Sequence, residues 1–190
     1  MQKKGEIQMT NNIYDPVKKI LISEEQIKER ITQIAKEISQ DYRNKEVLLV
    51  SVLTGSFIFV ADLIRKLDFP AEISFLFASS YGSSTVSNGN VEIRAGKGFD
   101  PKDRDIIIVE DIIDSGKTLK KISEYLKSEG AKSVEICAFL DKPSRRVVDV
   151  KAKYTCFEVP DEFVIGYGLD FDYKYRQYPF VGVLREEYYE

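Results

Sequence analysis

The sequence predicts an α/β fold: a central, mostly parallel sheet flanked by helices, with a small hood built from C-terminal and N-terminal residues. Three observations carry this. Apolar runs of strand length recur, and continuous runs suit strands buried on both faces. Between them lie segments with apolar residues at helical spacing, so strands and helices alternate. Beyond about residue 150 short strands continue without long helices between them. The 190 residues therefore read as one domain, with a core of about 13–150 and a hood of about 151–190 joined by N-terminal residues. A chain of this length can bury a substantial core.

Residues 1–12 are polar and read as frayed. Ser23 through Gln26 make a capping-box pattern, with Ser23 as N-cap and Gln26 three positions on. Ile27, Ile31, Ile34, Ala35 and Ile38 follow at helical spacing, so a helix is expected over 24–41. The apolar run 47–53 is a strand, and Ser56 can cap a helix reaching about Leu67 before Pro70. A strand is expected over 71–78. Residues 79–90, rich in Ser, Gly and Asn, read as a mobile loop, and 91–94 as a short strand. Pro101 turns the chain into a strand at 105–109, followed by a helix over 118–130 that ends on a C-cap glycine. Further strands are expected at 133–140, 154–158, 163–167 and 180–184.

Composition excludes several function classes. With a net charge of −3 there is no overall basic field to hold nucleic acid. There is no histidine, which removes His-based metal sites, a Ser-His-Asp triad and a Cys-His pair. Cys137 and Cys156 lie in apolar contexts without metal-ligand spacing and read as buried reduced thiols, which suits the cytoplasm. No signal peptide or membrane-spanning apolar run is expected.

Residues 106–119, I-I-I-V-E-D-I-I-D-S-G-K-T-L, carry the chemistry. A buried strand runs into Glu110 and Asp111, then Asp114, then a Ser-Gly-Lys-Thr turn opening a helix. Paired acids after an apolar strand are costly unless solvated, bound to a cation or hydrogen-bonded to a ligand. They suit sugar hydroxyls or a hydrated metal. The turn, with outward N–H groups at a helix N-terminus, suits a phosphate. A phosphorylated ribose carries both groups. The plain alternative is a polar strand-to-helix loop with Asp114 as N-cap. A triphosphate-binding P-loop would need glycine where Asp111 stands, so that reading fails.

V-E-D-I-I-D-S-G-K-T resembles the phosphoribosyl-pyrophosphate signature of type I phosphoribosyltransferases, in the form of their hypoxanthine-guanine branch. Four more segments resemble that family in order: S-V-L-T-G-S-F at 51–57, S-S-Y-G at 79–82, L-D-K-P-S-R-R at 140–146, and V-P-D-E-F-V-I-G-Y-G-L-D at 159–170 followed by Tyr175 and Arg176. The resemblance spans about residues 13–183. It implies the type I fold and Mg²⁺-dependent transfer of phosphoribosyl from phosphoribosyl pyrophosphate to N9 of hypoxanthine or guanine, in purine salvage.

The roles it implies fall on particular residues. Glu110 and Asp111 hold the ribose hydroxyls, directly or through Mg²⁺, and favour the cationic sugar of an oxocarbenium-like transition state. Asp114 sits beside purine N7 as general base or proton partner. Ser115, Gly116, Lys117 and Thr118 bind the 5′-phosphate. Leu53, Thr54 and Gly55 present backbone amides to pyrophosphate through an unusual, cis-capable peptide. Thr54 stands where many members carry Lys or Arg, which leaves the backbone contact but removes the side-chain charge. Arg176 contacts pyrophosphate, although a lone Arg is more often a surface residue. Lys142, Phe163, Val164 and Asp170 form the purine end, with Asp170 also a metal-side carboxylate alongside Glu110 and Asp111. By itself Phe163 reads equally as core, and Asp170 as a loop acid. Ser80 and Tyr81 belong to a lid that excludes water. The resemblance also implies a homodimer or homotetramer. Two other readings are a related xanthine transferase and a nucleotide-sensing, RNA-binding regulator of the same fold. The second would be expected to show a basic stripe and to have lost Asp114.

Overall fold

The computed structural model describes residues 14–80, 91–96 and 98–189. Along the chain run β1 (Val17–Ile22), α1 (Glu24–Asp41), β2 (Val47–Leu53), α2 (Phe57–Ile64), β3 (Ala71–Ser80) and β4 (Val91–Ala95). There follow β5 (Asp105–Ile113), α3 (Lys117–Ser128), β6 (Ser133–Asp141), β7 (Tyr154–Glu158), β8 (Val164–Ile165) and β9 (Val181–Leu184). Among the described residues, six strands make one sheet in the order β4-β3-β2-β5-β6-β7, and three make another in the order β1-β9-β8. The larger sheet is parallel apart from β4, which pairs antiparallel with β3.

The central strand shows why this sheet needs two layers of cover. Ile106 and Ile108 of β5 share a buried cluster with Leu119, Ile122 and Leu126 of α3. Ile107 and Val109 point the other way, into a cluster with Ile27, Ile31, Ile34 and Ile38 of α1 and Phe59 of α2. Each such side chain, fully buried, contributes about 1.5–3 kcal/mol of transfer free energy. The α1 stripe is set in place by the capping box. Gln26 N–H donates to Ser23 Oγ at 3.3 Å, and Ser23 N–H donates to Gln26 Oε1 at 2.8 Å.

Strand order reverses between β2 and β5, since β3 lies on one side of this pair and β6 on the other. In parallel α/β sheets such a reversal opens a crevice beyond the C-terminal strand ends, where ligands bind. The β2–β5 ladder stops at Ser51 and Val109, whereas the β5–β6 ladder continues through Glu110, Ile112 and Ile113. β5 therefore extends past its partner on one side only, and its last residues border an open gap.

Several sequence-based boundaries shift. The strand expected to stop at Val109 runs to Ile113 because β6 goes on pairing with it, a cause that an apolar-run criterion cannot register. Ser56 does not cap α2. It is buried, donates to the Val52 carbonyl at 2.5 Å and lies 2.6 Å from Ser51 Oγ, so it pins the loop beneath β2. α2 ends at Ile64, and the chain to Leu67 continues as tighter turns. β1 was not anticipated, because Lys18 and Lys19 break up its apolar pattern. β7, assigned to the hood from sequence, is instead the edge strand of the core sheet. A parallel return from β6 is made there through only a short 3₁₀ turn at Pro143–Arg145. Ser79 and Ser80, expected in a loop, extend β3. The rest of that expected loop and the frayed 1–12 segment lie outside the described residues.

β1, β8 and β9 form the hood sheet, with residues 166–178 looping from it toward the core. Tyr167 Oη donates to Asp62 of α2 at 2.6 Å, and its ring meets that of Phe139 at 4.7 Å. Gly168 has φ +99°, and a Cβ there would lie 2.1 Å from the Gly55 carbonyl oxygen. Hood and core backbones thus touch at this point. Gly168→Ala is expected to lose more than about 2 kcal/mol of stability, combining left-handed strain with the clash. A thermal melt indistinguishable from that of the parent chain would contradict this contact.

Candidate active site

The crevice at the strand reversal contains a cavity of about 250 Å³ whose walls include Thr54, Gly55, Glu110, Asp111, Asp114 and Thr118. Its floor follows from the mismatch in strand length. β2 ends at Leu53 and turns through a cis Leu53–Thr54 peptide, while β5 continues alongside and delivers two carboxylates. The cis peptide expected from the resemblance is present. Gly55 lies directly under Asp111, because a Cβ at Gly55 would sit 1.5 Å from Asp111 Oδ2. No other residue type leaves room for this carboxylate.

Glu110 and Asp111 are acids in a dry place. Asp111 Oδ1 accepts from the Ile112 N–H at 2.8 Å, while Glu110 Oε2 is buried without a partner. Burial pushes the Glu110 carboxyl well above its ordinary value of 4.5, and the charge of Asp111 and a hydrogen bond to it push the same way. Asp111 is also raised by burial, against opposing help from Glu110, local N–H groups and the charge of Arg176. Ionising both carboxyls together is therefore disfavoured, most strongly at Glu110. An orphaned carboxylate oxygen here fits a hydroxyl donor or the water shell of a hard divalent cation.

The turn after β5 forms the next wall. Asp114, Ser115, Gly116 and Thr118 line the cavity, and Gly116 opens α3 with φ +79°. Asp114 is not the helix cap. Its Oδ1 is buried and unpartnered, and its Oδ2 faces Arg145 Nη1 at 3.3 Å. Lys117 N–H donates to Ser115 Oγ at 3.4 Å, but the Lys117 side chain is exposed and does not line the cavity.

The other predicted residues that the structure describes do not line this cavity. Lys142 follows β6, is 6% exposed, and donates to the Glu162 carbonyl at 2.7 Å; burial lowers its pKa from the ordinary 10.5. That bond places it next to Phe163, which stays partly exposed, and Val164, buried in β8. Arg176 donates to the Gly168 carbonyl at 2.7 Å and pairs with Asp170 at 3.0 Å. Asp170 also accepts from the Tyr173 N–H at 2.9 Å. Glu110, Asp111 and Asp170 do not form a shared metal cage: no cluster of three or more potential ligands is found among the described residues. Asp170 is held off by Arg176, so a cation here would rely on one or two carboxylates plus ligand oxygens, as Mg²⁺ commonly does. Ser80 ends β3, and Tyr81 lies outside the described residues, so the lid expectation is not described.

Arg145 was not singled out from sequence. It bridges Asp114 and Asp161, the latter at 3.1 Å from Nε. The only hint is its place in the basic segment 142–146; the pairing with Asp114 depends on a contact across 31 positions, which spacing alone does not reveal.

The raised Glu110 carboxyl gives a stability test. A carboxyl raised in the folded chain contributes stability that is complete below its unfolded pKa and is lost as pH rises through the folded value. Glu110→Gln removes that loss. In ligand-free protein it is expected to raise stability at neutral pH by about 1 kcal/mol, roughly 2–4 °C in Tm. The gain should shrink toward acid pH. A lower Tm for the variant at pH 7 would contradict an unrelieved Glu110 carboxyl.

Comparison with known proteins agrees with this geometry. Residues 19–172 match the model of the phosphoribosyl transferase domain. The hypoxanthine-guanine phosphoribosyltransferase of Streptococcus thermophilus is 46% identical over 91% of this chain and 96% of its own. That of Bacillus subtilis is 45% identical over 92% and 97% respectively. A crystal structure of a hypoxanthine phosphoribosyltransferase from Staphylococcus aureus superposes with a TM-score of 0.90 at 39% identity, covering 96% of this chain and all (100%) of that one. With a matching domain model, close full-length relatives and a shared fold, the chain belongs to the phosphoribosyltransferase family, in its hypoxanthine-guanine branch.

Proposed function

We propose that this chain transfers the phosphoribosyl group of phosphoribosyl pyrophosphate to N9 of hypoxanthine or guanine, releasing pyrophosphate. The observation that carries the reading is the half-buried Glu110–Asp111 pair, with Glu110 Oε2 unpartnered, beside a phosphate-sized turn at the strand reversal. One crevice there offers acceptors for ribose hydroxyls and N–H groups for a 5′-phosphate.

In the reaction a C1′–N9 bond forms as the C1′–oxygen bond to pyrophosphate breaks. Glu110 and Asp111 take the ribose hydroxyls as hydrogen-bond donors, and their charge favours the cationic sugar. Asp114 handles the purine proton. Its Oδ1 is free to accept at N7 while Arg145 holds Oδ2. Backbone amides at Leu53, Thr54 and Gly55 and the guanidinium of Arg176 take pyrophosphate oxygens. Lys142 keeps N–H donors beyond the one given to Glu162, and these suit a 6-oxo group but not the donor amine of adenine. Phe163 supplies a stacking plane, the Val164 backbone reads the base edge, and Ser80 and Tyr81 are the lid. Glu110 and Asp111, with Asp170 as a further carboxylate, would hold Mg²⁺, which would supply charge neutralisation for the leaving pyrophosphate.

Two further features extend the reading. Ile73, Phe75 and Phe77 alternate on one face of β3 and are 39%, 40% and 53% exposed, although parallel sheets are normally covered there. This supports a homodimer or homotetramer that covers the stripe. Cys137 and Cys156 are buried free thiols, with burial pushing Cys156 up to about 12, and among the described residues no helix is long and apolar enough to cross a membrane. These support a cytoplasmic reaction.

Incubation with phosphoribosyl pyrophosphate, Mg²⁺ and each of hypoxanthine, guanine, xanthine and adenine is expected to give nucleotide with the first two. No product from either would overturn the reading. Asp114→Asn is expected to cut kcat by about 10²–10⁴-fold with little change in KM for phosphoribosyl pyrophosphate; equal losses in both would remove its proton-handling role. Light scattering after size exclusion is expected to report an oligomer that Phe75→Lys dissociates, whereas a monomeric parent chain would contradict assembly through β3.

A further inference from the structure

Phe163 is the only ring of the proposed purine end, and its surroundings are built from the far end of the chain. Its edge meets Phe171 at 5.5 Å and 88°. One face is stacked by Tyr189, with centroids 5.3 Å apart and planes 23° from parallel. Neither Phe171 nor Tyr189 lines the cavity. We propose that Tyr189 is a positioning residue for purine binding: it backs the Phe163 ring and fixes the plane on which the base stacks. This rests on the function proposed above.

The anchoring of Tyr189 is what favours this role. The Leu184 N–H donates to the Phe163 carbonyl at 2.8 Å, so β9 starts the C-terminal segment beside Phe163 itself. A 3₁₀ turn at Glu186–Tyr188 then brings Tyr189 back over the ring, with the Tyr189 N–H donating to the Glu186 carbonyl at 3.0 Å. The turn is held from the N-terminal side of the hood. Arg185 N–H donates to the Pro16 carbonyl at 2.9 Å, Lys18 pairs with Glu186 at 3.0 Å, and Tyr188 Oη donates to Asp15 at 2.9 Å. Tyr189 is therefore placed by a frame that has no part in the phosphoribosyl cavity. Phe163 itself remains 39% exposed, so ring surface is left for a ligand. Next to it in sequence, the Glu162 carbonyl accepts from Lys142, which joins the stacking plane to the polar base contact. A ring clamped in advance loses less freedom when a base arrives, and the gain appears as affinity for the base alone.

The test compares steady-state constants of the parent chain with Tyr189→Ala, Tyr189→Leu and Tyr189→Phe. Loss of one aromatic contact predicts a rise of about three- to tenfold in KM for hypoxanthine in the Ala and Leu variants. KM for phosphoribosyl pyrophosphate and the melting temperature should stay unchanged, and Tyr189→Phe should restore the parent value. In a Phe163→Leu background, Tyr189→Ala should add less than about twofold, because the two rings act as one unit. An active parent with an unchanged or lowered purine KM in both Ala and Leu variants overturns this inference alone, the lowered value marking Tyr189 as a plug. So does an equal rise in KM for both substrates. A parent chain without transferase activity overturns the function and this inference with it.

Discussion

The site depends on one unequal ladder. β5 keeps its pairing with β6 after its pairing with β2 has ended at Val109. The extra residues would otherwise be an unsupported strand end. Held by β6, they carry Glu110 and Asp111 into the gap that β2 leaves. The turn at residues 53–55 fills the floor of that gap, and it can do so only because Gly55 has no Cβ to meet Asp111. The apolar first half of β5, clamped between α1 and α3, fixes the height at which the acids emerge. Chemistry and core packing are thus two ends of the same strand.

The hood completes what the core leaves open. Its contacts with the core include the Gly168–Gly55 backbone contact, the Tyr167–Asp62 hydrogen bond, and the Lys142–Glu162 bond. Each joins a part of the proposed site to a rigid element. The first presses on the pyrophosphate loop, the second ties the 166–178 loop to α2, and the third couples the end of β6 to the base segment. Arg176 stands between these regions, bonded to Gly168 and Asp170 and moderating the charge of Asp111.

Much of this was legible because the signals were local. The capping box at Ser23, the stripe of α1 and the runs of β2 and β7 gave exact or nearly exact bounds, since each is set by neighbours in sequence. The acids and turn at 110–118 were legible because buried carboxylates have few reasons to follow an apolar strand. What sequence missed was set by distant partners. The length of β5 depends on β6, the place of β7 on a helix-free crossover, and β1 on β9. Ser56 shows the same effect in one side chain: a serine before a helix reads as a cap, but a buried carbonyl at Val52 competes for it and wins.

The strand mismatch leaves an acid pair that only a ligand relieves. Proton counting by titration calorimetry tests it most directly, with Mg²⁺ and phosphoribosyl pyrophosphate added near pH 7 in buffers of differing ionisation enthalpy. Binding supplies the missing partner of Glu110 and favours its ionised form, so the parent chain should release more protons than Glu110→Gln, which cannot ionise at that position. Equal proton release from the two proteins, with both binding, would contradict the account.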